Sequence, residues 1–299
     1  MKRLLVCFLG AALAFSGRAR DLTRDFPLEL KTRYFEIHYQ RAAWNVAALG
    51  RFADGFVEVV NRDFLKVTFP YPIKMLVLSD RTTFQEFLRR EIEVPDPPNY
   101  GIYLPRYETF VTYEDSGLGT FAHEIMHPFV ERNLPARPEW AVEAIPSFFE
   151  KFYGYYAPDV LVAQWGYQNP WRIEALGPKL TTVDLESIVA GKGPHGTYDT
   201  SELRLIAVFL WRQGRFPRFL QLIARQERAG YATYFEAAMG LPLNEVIPLW
   251  RNYLAEIAAH RAEIYELPAS AVFDDRESLV AFMRANHVPA ADGASSPAR

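Results

Sequence analysis

The segment His123-Glu124-Ile125-Met126-His127 has the residue types and the spacing of a catalytic metal site. Residues four apart lie on one face of an α-helix, so the two imidazoles can reach the same ion. Glu124 lies beside that face, where a carboxylate can accept a proton from a water that the metal activates. The segment therefore predicts a zinc hydrolase in which His123 and His127 bind Zn²⁺ and Glu124 is the general base.

A catalytic zinc needs a third protein ligand, and the residues after the motif discriminate between the known solutions. Val130 and Asn133 stand where metzincins have a glycine and a third histidine. Asp199 falls one residue short of the aspartate that aspzincins place after a Gly-Thr pair, here at 196–197. The gluzincin solution is a glutamate on the following helix, and Glu143 is the candidate.

The segment 138–150, Pro-Glu-Trp-Ala-Val-Glu-Ala-Ile-Pro-Ser-Phe-Phe-Glu, resembles the signature of the peptidase MA-like family of compact bacterial gluzincins. The similarity includes the small residue Ala122 before the first histidine and the run 198–201 that leads into a helix. It covers most of the chain from about 33 to 265. The resemblance implies a minimal zincin fold, peptidase activity and Glu143 as the third zinc ligand.

Several residues near the ligands set expectations about the local backbone. Pro128 denies Glu124 its usual helical backbone partner, which predicts a kink or an early helix end. Pro146 predicts that the helix carrying Glu143 starts late or bends. Many gluzincins have an aspartate where Ser147 stands, to orient a histidine. Glu150 is the better candidate for that task, with a solvated helix residue as the alternative.

The oxyanion donor is predicted in the loop 191–198. Relatives have a tyrosine matching Tyr198, whose phenol could hydrogen-bond the tetrahedral intermediate. His195 is the alternative, and both could be loop residues without a role. Residues 103–113 are expected to supply an edge strand for an extended substrate, or an ordinary sheet strand. The other histidines have no partner at ligand spacing in the sequence.

Hydrophobic periodicity predicts an α+β fold: a small mixed sheet with packed helices that carry the motif, followed by a mainly helical C-terminal half. Strands are predicted at 33–39, 73–78, 100–104 and 108–113. Helices are predicted at 42–64, 79–90, 139–153, 201–213, 216–226, 231–239 and 243–265. The predicted units are an N-terminal subdomain at 30–135, a helical subdomain with the third ligand at 136–266, and an extension at 267–299 whose end is disordered.

The first residues have the pattern of an export signal. Lys2 and Arg3 precede a short apolar run, which predicts a signal peptide at 1–19 and a periplasmic or extracellular protein. Arg18 and Arg20 leave an uncleaved anchor or a buried helix as alternatives. Cys7, within this run, is the only cysteine. No later stretch is long and apolar enough to span a bilayer.

Composition narrows the partners. The formal net charge of -3 offers no field for nucleic acid or an anionic membrane surface, so neither partner is suggested. The resemblance to peptidases implies a peptide or protein substrate. The oligomeric state is left open. The predicted function is a zinc metallopeptidase. The alternatives are an exported pseudopeptidase that acts as a binding or assembly scaffold, and a structural helical protein with an accidental motif, in which Glu143 would lie apart from the two histidines.

Overall fold

The computed structural model describes residues 21–41, 45–66, 72–191, 198–225 and 231–289. The predicted signal peptide, Cys7, His195 and the last ten residues lie outside these ranges, and the predictions made for them stay predictions. The fold is α+β, as the periodicity predicts. Within the described ranges, none of the helices has the length and apolarity needed to cross a membrane.

A five-stranded mixed sheet forms the N-terminal part, with strand order β1-β2-β3-β5-β4. Its strands are β1 (Leu28–Lys31), β2 (Phe35–Tyr39), β3 (Ile73–Leu78), β4 (Ile102–Leu104) and β5 (Thr109–Tyr113). β2, β3 and β5 run parallel, while β1 and β4 are antiparallel to their neighbours. The central strands are buried on both faces, as parallel strands covered by helices must be. Because β4 is the last strand in this order, it is an edge strand.

The described ranges contain twelve α-helices. They are α1 (Val46–Asp63), α2 (Arg81–Phe87), α3 (Leu118–Asn133), α4 (Ala141–Phe148), α5 (Pro170–Leu176), α6 (Leu185–Val189), α7 (Thr200–Arg212), α8 (Phe216–Ala224), α9 (Tyr231–Met239), α10 (Leu243–Ala259), α11 (Arg261–Tyr265) and α12 (Arg276–Ala285). A π-helical turn extends α2 from Leu88 to Ile92, and short 3-10 turns connect other elements.

A second sheet of three strands, in the order β7-β6-β8, differs from the sequence prediction. Its strands are β6 (Tyr153–Ala157), β7 (Val160–Gln164) and β8 (Ala271–Phe273). The predicted helix at 139–153 ends instead at Phe148, and the aromatic residues from Tyr153 onward form β6. β8 comes from the predicted C-terminal extension and pairs in parallel with β6. The local pattern could not indicate β8, because its partner lies more than a hundred residues away in sequence.

Helix α3 continues through Pro128 to Asn133, so the early helix end expected at this proline is wrong. A proline inside a helix costs about 3 kcal/mol. The residues after it offset this cost, because Phe129 and Val130 are fully buried in the main core. Helix α4 does start late, at Ala141, which places Glu143 in its first turn.

One hydrophobic core joins the two predicted subdomains. It contains residues from β2 and α1 as well as from α4, α7 and α10. Phe148 and Phe149, at the end of α4, pack on Phe64 of the N-terminal part and on Phe216 of α8. Aromatic pairs of this kind add about 0.5–1.5 kcal/mol each beyond the area they bury. The position of α4, and with it Glu143, is therefore fixed by large rings from both sides.

Gly119 brings the start of α3 against the end of α4. A Cβ atom at this position would lie 2.3 Å from the backbone oxygen of Glu150, so only glycine allows the approach. We predict that Gly119→Ala lowers the free energy of unfolding by about 1–3 kcal/mol, because the two backbones must separate. Urea unfolding of wild type and variant checks this. An unchanged midpoint and slope would contradict the close approach.

Candidate metal centre

The structure brings His123, His127 and Glu143 together. His123 and His127 lie on one face of α3, with their Nε2 atoms 3.1 Å apart. The Glu143 carboxylate approaches from α4, with Oε2 3.5 Å from Nε2 of His123 and Oε1 3.8 Å from Nε2 of His127. The three residues form a group that could hold a metal ion. In a protein with an accidental motif, Glu143 would instead lie apart from the two histidines.

The ligand group is mostly buried, but one side of it reaches solvent. The side chains of His123 and His127 are 11% and 12% exposed, whereas that of Glu143 is 37% exposed. The ring of His127 stacks on Tyr103 of β4, with centroids 6.2 Å apart. An ion held here would therefore have protein on one side and an approach from solvent on the side of Glu143.

Glu150 is buried, so it is not the solvated helix residue that the sequence leaves as an alternative. Its Oε1 lies 2.9 Å from Nδ1 of His123, although the ring N–H is not aligned for a linear hydrogen bond. The same carboxylate accepts hydrogen bonds from Asn169 and from two nitrogens of Arg172. A metal-binding histidine commonly has a carboxylate at its other ring nitrogen, which fixes the ring.

The sequence offered no signal for Arg172 and Asn169. Both lie between the predicted helices at 139–153 and 201–213, and both reach Glu150 from the N-terminal end of α5. The guanidinium of Arg172 and the nearby His123 hold the pKa of the buried Glu150 carboxyl well below its usual range. Glu150 is therefore a permanent negative charge beside His123.

The pKa values of the two histidines are shifted in opposite directions. Burial opposes protonation of His123, but Glu143 and Glu150 outweigh it and raise its pKa to about 10. Burial lowers the pKa of His127 to about 4. The two histidines and Arg172 lower the pKa of Glu143 to about 2, against the effect of its burial. Without a metal, the group thus carries one proton on His123 at neutral pH.

Glu124 lies next to the ligand group and is held by the edge strand. Burial raises its pKa to about 7, and the backbone N–H of Tyr103 donates a hydrogen bond to its carboxylate. Its Oε2 is buried without a hydrogen-bond partner and lies 3.9 Å from Nε2 of His127. The carboxylate fits against β4 because Gly101 has no side chain: a Cβ there would lie 2.9 Å from Cγ of Glu124.

Tyr198 lies just before α7. Its hydroxyl donates to the backbone oxygen of Ser187 at 3.0 Å, and its ring packs against the main core. A donor role toward a substrate would require exchange of this hydrogen bond. His195, the alternative donor, lies outside the described residues. The prediction for the oxyanion donor therefore stays a prediction.

A second candidate group consists of Glu29, Glu36 and His38 on β1 and β2. The sequence pattern does not indicate this group, because Glu29 is opposite His38 only through the antiparallel register. Glu36 lies 2.8 Å from Nε2 of His38, and Glu29 pairs with the exposed Lys31. A lysine already neutralises one of these carboxylates, so this group is a poorer cation site than the one on α3 and α4.

Comparison with known protein families and with curated proteins finds no match to this chain. The resemblance to the peptidase MA-like family therefore depends on the metal motif and on the segment 138–150.

We predict that Glu150→Gln weakens zinc binding about 10- to 100-fold, because the variant no longer fixes the ring of His123 through a charged acceptor. Competition with a chromophoric chelator measures the affinity. Glu174→Gln, which changes an exposed carboxyl on the same helix as Arg172, is the matched control and should leave the affinity unchanged. Equal affinities for wild type and Glu150→Gln would contradict the orienting role.

We also predict that metal binding releases a proton. A metal ion competes with the proton on His123, whose pKa is raised to about 10 in the metal-free protein. The affinity should therefore rise about tenfold per pH unit from pH 6 to 8, where His123 is protonated before binding. Titration calorimetry in two buffers of different ionisation enthalpy counts the protons. Release of no proton at pH 7 would show that the metal does not displace a proton from His123.

Proposed function

We propose that the protein is a zinc-dependent peptidase. The observation that carries this proposal is the convergence of three donor atoms beside a buried carboxylate oxygen that has no hydrogen-bond partner. Two imidazoles and a carboxylate with an open position are the donor set of catalytic zinc sites in hydrolases. A zinc ion held there would lower the pKa of a water and polarise the carbonyl of the scissile bond.

The spacing of the donors supports a tetrahedral ion. Metal–ligand bonds of about 2.0–2.1 Å at tetrahedral angles separate neighbouring ligand atoms by roughly 3.3–3.4 Å. The three separations here are 3.1, 3.5 and 3.8 Å. His123, His127 and Glu143 therefore fit zinc with little movement, and nitrogen-rich sites favour zinc over magnesium or calcium.

Glu124 is the general base in this proposal. A base works best when its pKa is near the working pH, and burial raises the pKa of Glu124 to about 7. Its free Oε2 can take a proton from the attacking water and later give it to the leaving amine. The main-chain N–H of Tyr103 keeps the carboxylate in place on the ligand side of α3.

The edge strand β4 supports an extended peptide as the substrate. β4 is the last strand of its sheet, so a peptide strand can add to its outer edge, where it would compete with Glu124 for the N–H of Tyr103. Gly101, just before β4, contacts Glu124, and Tyr103, within β4, stacks on His127. A peptide that pairs with β4 would thus pass the metal ligands. Tyr198, with His195 as the alternative, is the proposed donor to the oxyanion.

The test is zinc analysis together with cleavage of an unstructured protein. We expect about one zinc per chain in wild type and in Glu124→Gln, with the variant losing at least 10²-fold in cleavage rate, because it cannot accept the proton. Glu131→Gln, on the same helix and outside the ligand group, is the matched control. It should cleave at the wild-type rate.

Two outcomes would contradict the proposal. Stoichiometric zinc without any cleavage that depends on Glu124 would favour a pseudopeptidase scaffold. Absence of zinc from protein loaded with the metal and dialysed would reject the metal site itself. Loss of cleavage in both Glu124→Gln and Glu131→Gln would indicate that α3 is destabilised, and circular dichroism of the two variants separates that case.

A further inference from the structure

Tyr100 and Trp171 form an exposed aromatic pair, named here the Tyr100–Trp171 pair. Their ring centroids lie 6.3 Å apart, with the planes tilted by 37°. They are 47% and 44% exposed, the first and third most exposed large hydrophobic residues of the described chain. Tyr100 precedes β4, and Trp171 lies in α5, so the pair joins two parts of the chain that are far apart in sequence.

Each of the two residues is followed in sequence by one that contacts a carboxylate of the candidate site. Tyr100 is followed by Gly101, whose backbone lies against the side chain of Glu124. Trp171 is followed by Arg172, which binds Glu150 and whose guanidinium stacks 3.8 Å from the centre of the Trp171 ring. The pair is thus adjacent in sequence to a residue that contacts Glu124 and to the arginine that binds Glu150.

Packing of the hydrophobic core does not account for these two rings. Neither belongs to the buried clusters or to the partly buried residues packed against them. Exposure of neighbouring aromatic rings to water is unfavourable, and contiguous exposed apolar surface often marks a binding site. Because the residues that follow them contact Glu124 and Glu150, the ligand expected to cover them is one that is present during the reaction.

We propose that the Tyr100–Trp171 pair is a specificity subsite for an aromatic or large aliphatic side chain of an extended peptide, close to the scissile bond. This inference rests on the proposed peptidase function. A peptide paired with β4 would direct alternate side chains to one face, and the face next to Tyr100 would meet the two rings. Arg172 already covers the Trp171 ring, so a flat sugar has less open surface to stack on than a side chain has in the angle between the rings.

The first experiment profiles cleavage of an unstructured protein mixture by mass spectrometry. We expect wild type to favour Phe, Tyr, Trp, Leu or Met at one fixed position near the cleaved bond. For a matched pair of peptides with Phe or Ala there, Tyr100→Ala and Trp171→Ala should each lower the Phe-to-Ala ratio of kcat/KM about 3- to 10-fold. Trp171→Phe should restore most of the ratio. Leu249→Ala, which removes an exposed apolar side chain on α10, should not change it.

The second experiment measures binding without cleavage. Fluorescein-labelled Phe and Ala peptides are titrated with zinc-loaded Glu124→Gln, alone and combined with Trp171→Ala. Tighter binding of the Phe peptide that Trp171→Ala abolishes supports the subsite even if wild type cleaves nothing, in which case only the proposed activity fails. Cleavage without any preference that depends on these rings overturns the subsite and leaves the peptidase proposal intact. Binding of a soluble oligosaccharide that depends on Trp171, with no peptide preference, also overturns it.

Discussion

The candidate site depends on the contacts that the Glu150 carboxylate makes. This carboxylate lies between His123 and the cation Arg172, and Asn169 donates to the same oxygen that accepts from Nε of Arg172. A buried carboxylate is tolerated only when its charge is compensated, and here three side chains do so. Removal of Arg172 would take away the cation that contributes most to this compensation. The orientation of His123 is therefore coupled to the packing of α4 and α5.

The residues of the site come from both predicted subdomains, and these share one core. His123 and His127 lie on α3, Glu143 and Glu150 on α4 and just after it, and Arg172 on α5. An error of about 1 Å between these elements would separate the three donor atoms. The rings around Phe148 and Phe149 fix the end of α4 in the core, and the close approach at Gly119 brings it against the start of α3. The apolar core thus sets the geometry of the polar site.

Local patterns were enough to predict the elements that have local causes. The apolar run Ile73–Leu78 predicts β3 with its observed bounds, and Asp80 caps α2 next to the predicted helix start at 79. Spacing on a helix predicts that His123 and His127 face one point. The carboxylate at Glu143 followed from the gluzincin pattern, and the structure brings it to that point.

What the sequence could not predict depends on contacts between distant residues. β8 forms only because β6 offers an edge to it, and α3 continues past Pro128 because Phe129 and Val130 are buried. Arg172 and Asn169 lie in a stretch without clear periodicity, so their role at Glu150 is visible only in three dimensions. The same holds for the pairing of Tyr100 with Trp171.

The central claim is that His123, His127 and Glu143 bind one zinc ion. Diffraction from zinc-loaded crystals, measured just above and just below the zinc absorption edge, tests it most directly. We expect one anomalous peak about 2.0–2.2 Å from Nε2 of His123, Nε2 of His127 and a carboxylate oxygen of Glu143. A peak at Glu29, Glu36 and His38 alone, or a zinc bound without Glu143, would contradict it.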